Sequence, residues 1–157
     1  MHDSSVTATH ASLPQWHGRL TMYTYQYPRY KITCDVACVC GDKLLIIKRG
    51  HEPGKGLFAL PGGNLDPDEF LEGCARRELR EETGIVAGDL ELLGNFDAPN
   101  RAPGDRAISC VYRTRFNTMP SVTIGDDAAE YRWVTLEELA DVEFAFDCLD
   151  MAKKALT

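Results

Sequence analysis

The chain has 157 residues, 24 acidic against 17 basic, with a formal charge of −7 and a pI near 5.0. That balance argues against a general electrostatic grip on nucleic acid or an anionic membrane, and the length suits one domain around a single core. No apolar run approaches a membrane span, and the polar opening MHDSSVTATH lacks the hydrophobic stretch of a signal peptide, so a cytoplasmic protein is expected.

Residues 1–20 are rich in Ser, Thr, Ala and His without sustained periodicity, and read as a flexible N-terminal extension carrying Trp16 and His17. The domain is expected to occupy 21–157. Tyr23, Tyr25 and Tyr27 alternate as on one face of a strand, with Tyr30 close behind and Pro28 breaking the run. They fit an edge strand packing its rings on the core, or a surface for a base or for a homodimer.

Ile32 to Cys40 reads as a buried strand, and Gly41-Asp42 fits a hairpin turn into a second strand from Lys43 to Lys48. The stretch RGHEPGKGLFALPGG is then a loop, in which Lys48, Arg49, His51 and Lys55 are either phosphate contacts or solvated surface. Cys34, Cys38, Cys40, Cys74, Cys110 and Cys148 form no CxxC pair, so reduced, packed thiols are expected, with a zinc site or disulfides as the alternative.

Gly63 to Ile85, GNLDPDEFLEGCARRELREETGI, carries the densest pattern in the chain. Asp66 suits an N-cap, Pro67 the first helical position and Glu69 the capping-box carboxylate, so the spacing predicts a helix of about four turns from here. Leu71, Ala75 and Leu79 would form its buried stripe, and Gly84 would end it in a left-handed conformation. Glu78, Glu81 and Glu82 fall at i, i+3 and i+4, which crowds three carboxylates near the negative end of the helix dipole. Divalent cations relieve such crowding, and hard oxygen ligands suit Mg²⁺, with Mn²⁺ as the alternative. A solvated acidic face paired with Arg76, Arg77 and Arg80 is the plainer reading of the same charges.

After the helix, Leu90 to Phe96 has strand character, and a loop with two prolines precedes a further strand ending at Phe116. Arg101, Arg106, Arg113 and Arg115 outnumber Asp97 and Asp105 here, giving a cationic segment able to meet a diphosphate; Arg113 and Arg115 alternate and also fit a solvent face. Thr123 to Glu130 reads as an acidic loop ahead of the strand Tyr131 to Val134. Thr135-Leu-Glu-Glu opens a short capped helix, and Phe144, Leu149, Ala152 and Leu156 mark a closing amphipathic helix.

With Gly63, Glu69, Arg77, Glu78, Glu81, Glu82 and Gly84 in place, and apolar Leu79 and Ile85, the stretch resembles the Nudix box, G-x5-E-x7-R-E-U-x-E-E-x-G-U, at every fixed position. The resemblance implies an α/β fold, the Nudix-type α/β/α sandwich around a mixed β-sheet. It further implies hydrolysis of a nucleoside diphosphate linked to a group X. Glu78, Glu81 and Glu82 would be the metal-binding carboxylates, the Gly62 carbonyl a further ligand, and Glu69 with Arg77 a structural pair. Glu78, Glu81, Glu82 and Glu130 are the candidate catalytic acids, with Asp126 and Asp127 as neighbouring candidates. The last three have an alternative as turn-forming solvated acids.

HEPGKGLFALPGG and the arginine-rich segment look like the Nudix domains that hydrolyse ADP-ribose, including those fused to a nicotinamide-nucleotide adenylyltransferase, a portion not expected in this chain. Pro103-Gly104-Asp105 departs from the Arg-Gly-Arg pattern expected there. The expectations are therefore ADP-ribose cleaved to AMP and ribose 5-phosphate, with Arg49, Arg101 and Arg106 contacting a small nucleotide substrate. NADH, nucleotide sugars, nucleoside triphosphates and capped RNA are alternative substrates, and a nucleotide-sensing module without turnover is an alternative function.

Overall fold

A computed structural model describes residues 26–104 and 106–157. The N-terminal extension, Tyr23, Tyr25 and Asp105 lie outside the described residues; of the tyrosines expected to pack on the core, Tyr27 and Tyr30 lie outside any strand and are exposed. Lys31–Thr157 forms one compact unit.

Ten consecutive residues with strong strand character make β1 (Lys31–Cys40), and Gly41, at φ +61°, turns the chain into β2 (Lys43–Arg49) with Cys40 opposite Lys43. The expected loop after β2 contains two short strands, β3 (Phe58–Ala59) and β4 (Gly62–Asn64). Segments of two and three residues carry no periodicity, which is why pattern alone reads them as loop. Helix α1 (Leu71–Thr83) is followed by β5 (Glu91–Phe96), β6 (Ala107–Phe116), β7 (Ala128–Val134), a 3-10 turn (Glu138–Asp141) and helix α2 (Cys148–Leu156).

The strands form one mixed sheet ordered β3-β2-β1-β6-β5, with β4 added to β1 and β7 to β2. β1 gives one edge to β6, in parallel along its whole length. Its other edge is divided: Val39 and Cys40 pair with β2, while Thr33 to Asp35 pair with β4. The side chains of β1 then alternate between two cores. Cys34, Val36 and Cys38 pack with Cys74, Ala75 and Leu79 of α1, whereas Ala37 and Val39 pack with Met151, Ala152 and Ala155 of α2. A helix covers each face, as the α/β/α expectation requires. All six cysteines are free thiols, and Cys40 alone is not fully buried.

Three further expectations need correction. α1 begins at Leu71, with Phe70 as N-cap and no side-chain cap, rather than at Asp66-Pro67. The Asp66 N–H does donate to Glu69 Oε2 (3.0 Å), but a turn closed by Glu69 N–H to Asp66 O (3.3 Å) makes the same i to i+3 closure as a capping box. The ion pair from Glu69 to Arg77 favours the turn, leaving Leu71 at the frayed end, 37% exposed, while Cys74 joins Ala75 and Leu79 in the core. The second correction concerns Thr123 to Glu130, whose last three residues belong to β7, with Glu130 opposite Lys48. Gly84, at φ +70°, ends α1 with its N–H on Arg80 O, and Thr135 and Glu138 exchange capping-box bonds ahead of the 3-10 turn, but Phe144, expected in the closing helix, lies before α2 and bridges to Phe58.

No helix among the described residues is long and apolar enough to cross a membrane. Leu79 has no exposed surface and joins α1 to β1, so Leu79→Ala is expected to cost about 2–5 kcal/mol. Leu92→Ala, at a side chain 54% exposed, should cost no more than about 0.5 kcal/mol. Urea unfolding followed by circular dichroism measures both, and equal losses would contradict this packing.

Candidate active site

The site is built where β4 passes between β1 and α1. Gly62 pairs with Asp35 and Gly63 with Cys34, and neither glycine has room for a side chain. A Cβ on Gly62 would collide with the Cys34 carbonyl and the Asp35 carboxylate; one on Gly63 would collide with the Glu78 carboxylate. These two residues let the backbone itself approach the glutamates of α1. Gly62 N–H donates to Glu82 Oε2 at 2.8 Å.

Arg77 fastens this loop to the helix. Its Nε and Nη2 donate to the two oxygens of Glu69, both at 2.8 Å, and Nη2 also reaches Asn64 O at 3.0 Å. Such a planar fork matches a carboxylate in geometry as well as charge. Nη1 donates to Glu78 Oε1 at 2.6 Å and more weakly to Glu81 Oε2 at 3.3 Å. The Arg77 pairing holds Glu69 below the usual carboxylate range, and Glu69 in turn raises Arg77.

Glu82 behaves differently. Burial, then the negative charges of Glu78, Asp35 and Asp127, outweigh the Gly62 hydrogen bond and push its carboxyl up to about 8. Burial also raises Glu78, although Arg77 opposes it. The C-terminal end of α1 is docked on the segment before β7 by Thr123 N–H to Thr83 O and Gly125 N–H to Glu82 O, both 2.9 Å, which brings Asp127 to the same place.

A cleft of about 530 Å³ opens beside Glu82 and Gly62. Asp35 lines it, its carboxylate accepting the Ser109 hydroxyl and pushed up to about 6, chiefly by burial. Sequence reasoning omitted Asp35; the available signal was one acidic residue inside the otherwise largely apolar strand KITCDVACVC. His51 and Asp127 also line the cleft, in contact at 2.9 Å.

Among the arginines expected at substrate, Arg49 lines the cleft, with Nε on Pro53 O at 2.9 Å and its guanidinium 5.2 Å from the centre of the Phe146 ring. Arg101 lines it too, but its fork is bidentate to Asp147 (2.9 and 2.8 Å) and its side chain is only 6% exposed. Arg106 is not part of the lining; its Nη2 donates to Asp97 O at 3.1 Å. Glu130 is likewise outside the lining, ion-paired to Lys48 at 2.6 Å and to Arg132 at 2.7 Å, with its carboxyl lowered by those partners.

As they stand, no three His, Cys, Asp or Glu side chains among the described residues converge closely enough to hold a metal ion. Glu78 and Glu81 face the Arg77 guanidinium and Glu82 faces a backbone N–H. The donor chemistry nevertheless fits a hard divalent ion. Carboxylates and the side-chain-free pair Gly62-Gly63 share one place, and two of the acids have proton affinities raised by burial and mutual repulsion. Rotation of Glu78 and Glu81 away from Arg77 Nη1 is what a shared ion requires.

Comparison with known proteins places this geometry. A family model described as the NUDIX domain matches residues 30–151. The chain is 38% identical over 103 residues to an ADP-ribose pyrophosphatase of Methanocaldococcus jannaschii, covering 66% of this chain and 60% of that protein. It is 32% identical over 135 residues to the ADPR responsive transcriptional repressor NtrR of Acinetobacter baylyi, covering 82% of this chain and 54% of the repressor. It thus spans somewhat over half the length of these two relatives. The structure resembles that of a bifunctional NMN adenylyltransferase/ADP ribose pyrophosphatase from Francisella tularensis, complexed with AMP and a Mn ion. The TM-score is 0.73 at 28% identity, over 81% of this chain and 41% of the other. With the box glutamates assembled around β4 and most of the chain matched by the family model, this protein belongs to the Nudix family.

Proposed function

We propose that the protein is a divalent-metal-dependent pyrophosphohydrolase that cleaves ADP-ribose to AMP and ribose 5-phosphate. The observation that carries the reading is Glu82: a carboxylate of the box, hydrogen-bonded to the Gly62 backbone and open to a cleft that also holds Arg49 and Arg101. Similarity to the M. jannaschii and F. tularensis proteins supports ADP-ribose over other nucleotides.

Glu78, Glu81 and Glu82, with the Gly62 carbonyl, would hold the ion, Mg²⁺ or Mn²⁺. When bound it supplies neutralisation of the phosphoryl oxygens and acidifies water. The chain's own residues do the rest. Arg49 offers a positive charge to the diphosphate, while Arg101 at the same cleft is paired with Asp147. Water adds to one phosphorus and gives up a proton, and the bridging oxygen leaves on the other phosphate. The proton passes to a carboxylate at the cleft, and Glu82, held through Oε2 on the Gly62 N–H, serves in its ionised form. Asp127, steadied by His51, is the second acid at hand.

A binding module without turnover is the second reading, favoured by the similarity to the ADPR responsive repressor and by the engagement of Glu78 and Glu81 with Arg77. One experiment separates them. With ADP-ribose and Mg²⁺ or Mn²⁺, product chromatography should show AMP and ribose 5-phosphate, and Glu82→Gln should lower kcat by roughly 10²-fold or more in a folded protein. ADP-ribose bound tightly with no product under either ion would favour the sensor, and a Glu82→Gln enzyme at full rate would refute the role given to Glu82.

Glu82 also predicts a pH dependence. Its carboxyl rises from about 4.5 to about 8 on folding, so the native state holds a proton that the unfolded chain releases. The contribution to stability is complete below about pH 4.5 and is lost as pH climbs through 8. Metal-free protein should therefore show a Tm that falls between about pH 5 and 8, Glu82→Gln should flatten that slope, and added Mg²⁺ should raise Tm most at the upper end. A slope unchanged by the substitution would remove Glu82 as its source.

A further inference from the structure

The Phe146 backbone sits at φ +54°, in the left-handed region, and it is the one described non-glycine residue to do so. For a bulky side chain this is a strained conformation that persists only where the surroundings enforce it, and such outliers gather at ligand sites. Here both neighbours enforce it. Ala145 is fully buried and donates its N–H to Phe58 O at 2.8 Å, while Asp147 is clamped by the Arg101 fork at the start of α2. Glycine would take up this conformation without strain, so what the position gains from phenylalanine is the ring.

That ring stands on the boundary between two spaces. It lines the cleft that contains Glu82 and also an adjoining hollow walled by Ala98, Asn100, Ala102 and Pro103. The Arg49 guanidinium lies over the ring from the cleft side and does not line the hollow. Arg49 is itself fixed by Pro53 O and by Gly54, whose missing side chain leaves room for both Arg49 and Ala145. The face of the ring away from Arg49 is therefore the one available to a planar ligand, in a hollow whose lining is mostly small and apolar apart from Asn100 and the Arg101–Asp147 pair.

We propose that Phe146 is the platform on which the nucleobase of the substrate stacks, in the hollow beside the cleft, with the diphosphate running back past Arg49 toward Gly62 and Glu82. The inference rests on the nucleotide reading above and assigns a base-binding residue to it. Aromatic stacking holds a base through its face and tolerates its identity. Arg49 polarises the same ring from behind, so base and phosphate recognition meet in one side-chain pair.

The test is calorimetric binding of ADP and of inorganic pyrophosphate to the full chain in Mg²⁺. Phe146→Ala should weaken ADP by about tenfold and leave pyrophosphate within about twofold, and Phe146→Tyr should stay within about threefold of wild type for both. Phe146→Gly, which accepts the left-handed backbone, should behave as Phe146→Ala and keeps the test sound where alanine impairs folding. ADP affinity unchanged in either variant, ADP and pyrophosphate lost in parallel, or no ADP binding by wild type would each overturn the proposal. Turnover is read separately: a chain that binds ADP through Phe146 yet cleaves no ADP-ribose loses the hydrolase reading alone, and one that cleaves ADP-ribose with KM unmoved by Phe146→Ala loses this inference alone.

Discussion

The fork between Arg77 and Glu69 is the constraint on which the site depends. It spans eight residues, from the turn before α1 to the second turn of the helix, and it is largely shielded from water. Hydrogen bonds between charged groups contribute roughly 1.5–3 kcal/mol each when well formed, but the larger consequence is geometric. The loop from Gly62 to Asn64 is pressed against the helix, Gly63 comes into contact with the Glu78 carboxylate, and Gly62 is delivered to Glu82. The same guanidinium offsets the repulsion among Glu78, Glu81 and Glu69. Without a compensating cation, three box carboxylates on one helical face would oppose the fold that displays them.

Around that fork the sheet divides its labour. The face of β1 that packs on α1 supports the box, while the face toward α2 carries Asp35, Ser109 and the route to Arg101, Asp147 and Phe146. β4 is central to this arrangement, because it pairs with Thr33 to Asp35 on one edge of β1 and its three residues line the cleft there. The acids at the cleft are not equivalent. Arg77 holds Glu69 below the usual carboxylate range, whereas burial lifts Glu82 well above it. Identical side chains thus acquire different chemistry from their surroundings alone.

How much of this was legible beforehand follows from the range of the interactions. The box glutamates, the Gly84 terminus, the Gly41 turn and the two-sided core depend on spacing within a few residues, and strand and helix periods record them. The start of α1 was misplaced because a turn and a capping box make the same local closure, and only an ion pair eight residues away distinguishes them. Asp147 lies 46 residues from Arg101, and Lys48 lies 82 from Glu130, so nothing in either segment announces its partner. The backbone of Phe146 is hidden for another reason. Its conformation is imposed by β3 and α2 against its own preference, and a sequence records preferences.

Because neighbouring side chains of β1 serve opposite layers, the two halves of this molecule are free to diverge at different rates. Changes confined to the α2 layer reshape the wall near Phe146 while the glutamate layer keeps its form. Substitutions on a single side of one strand thus act on one layer and spare the other.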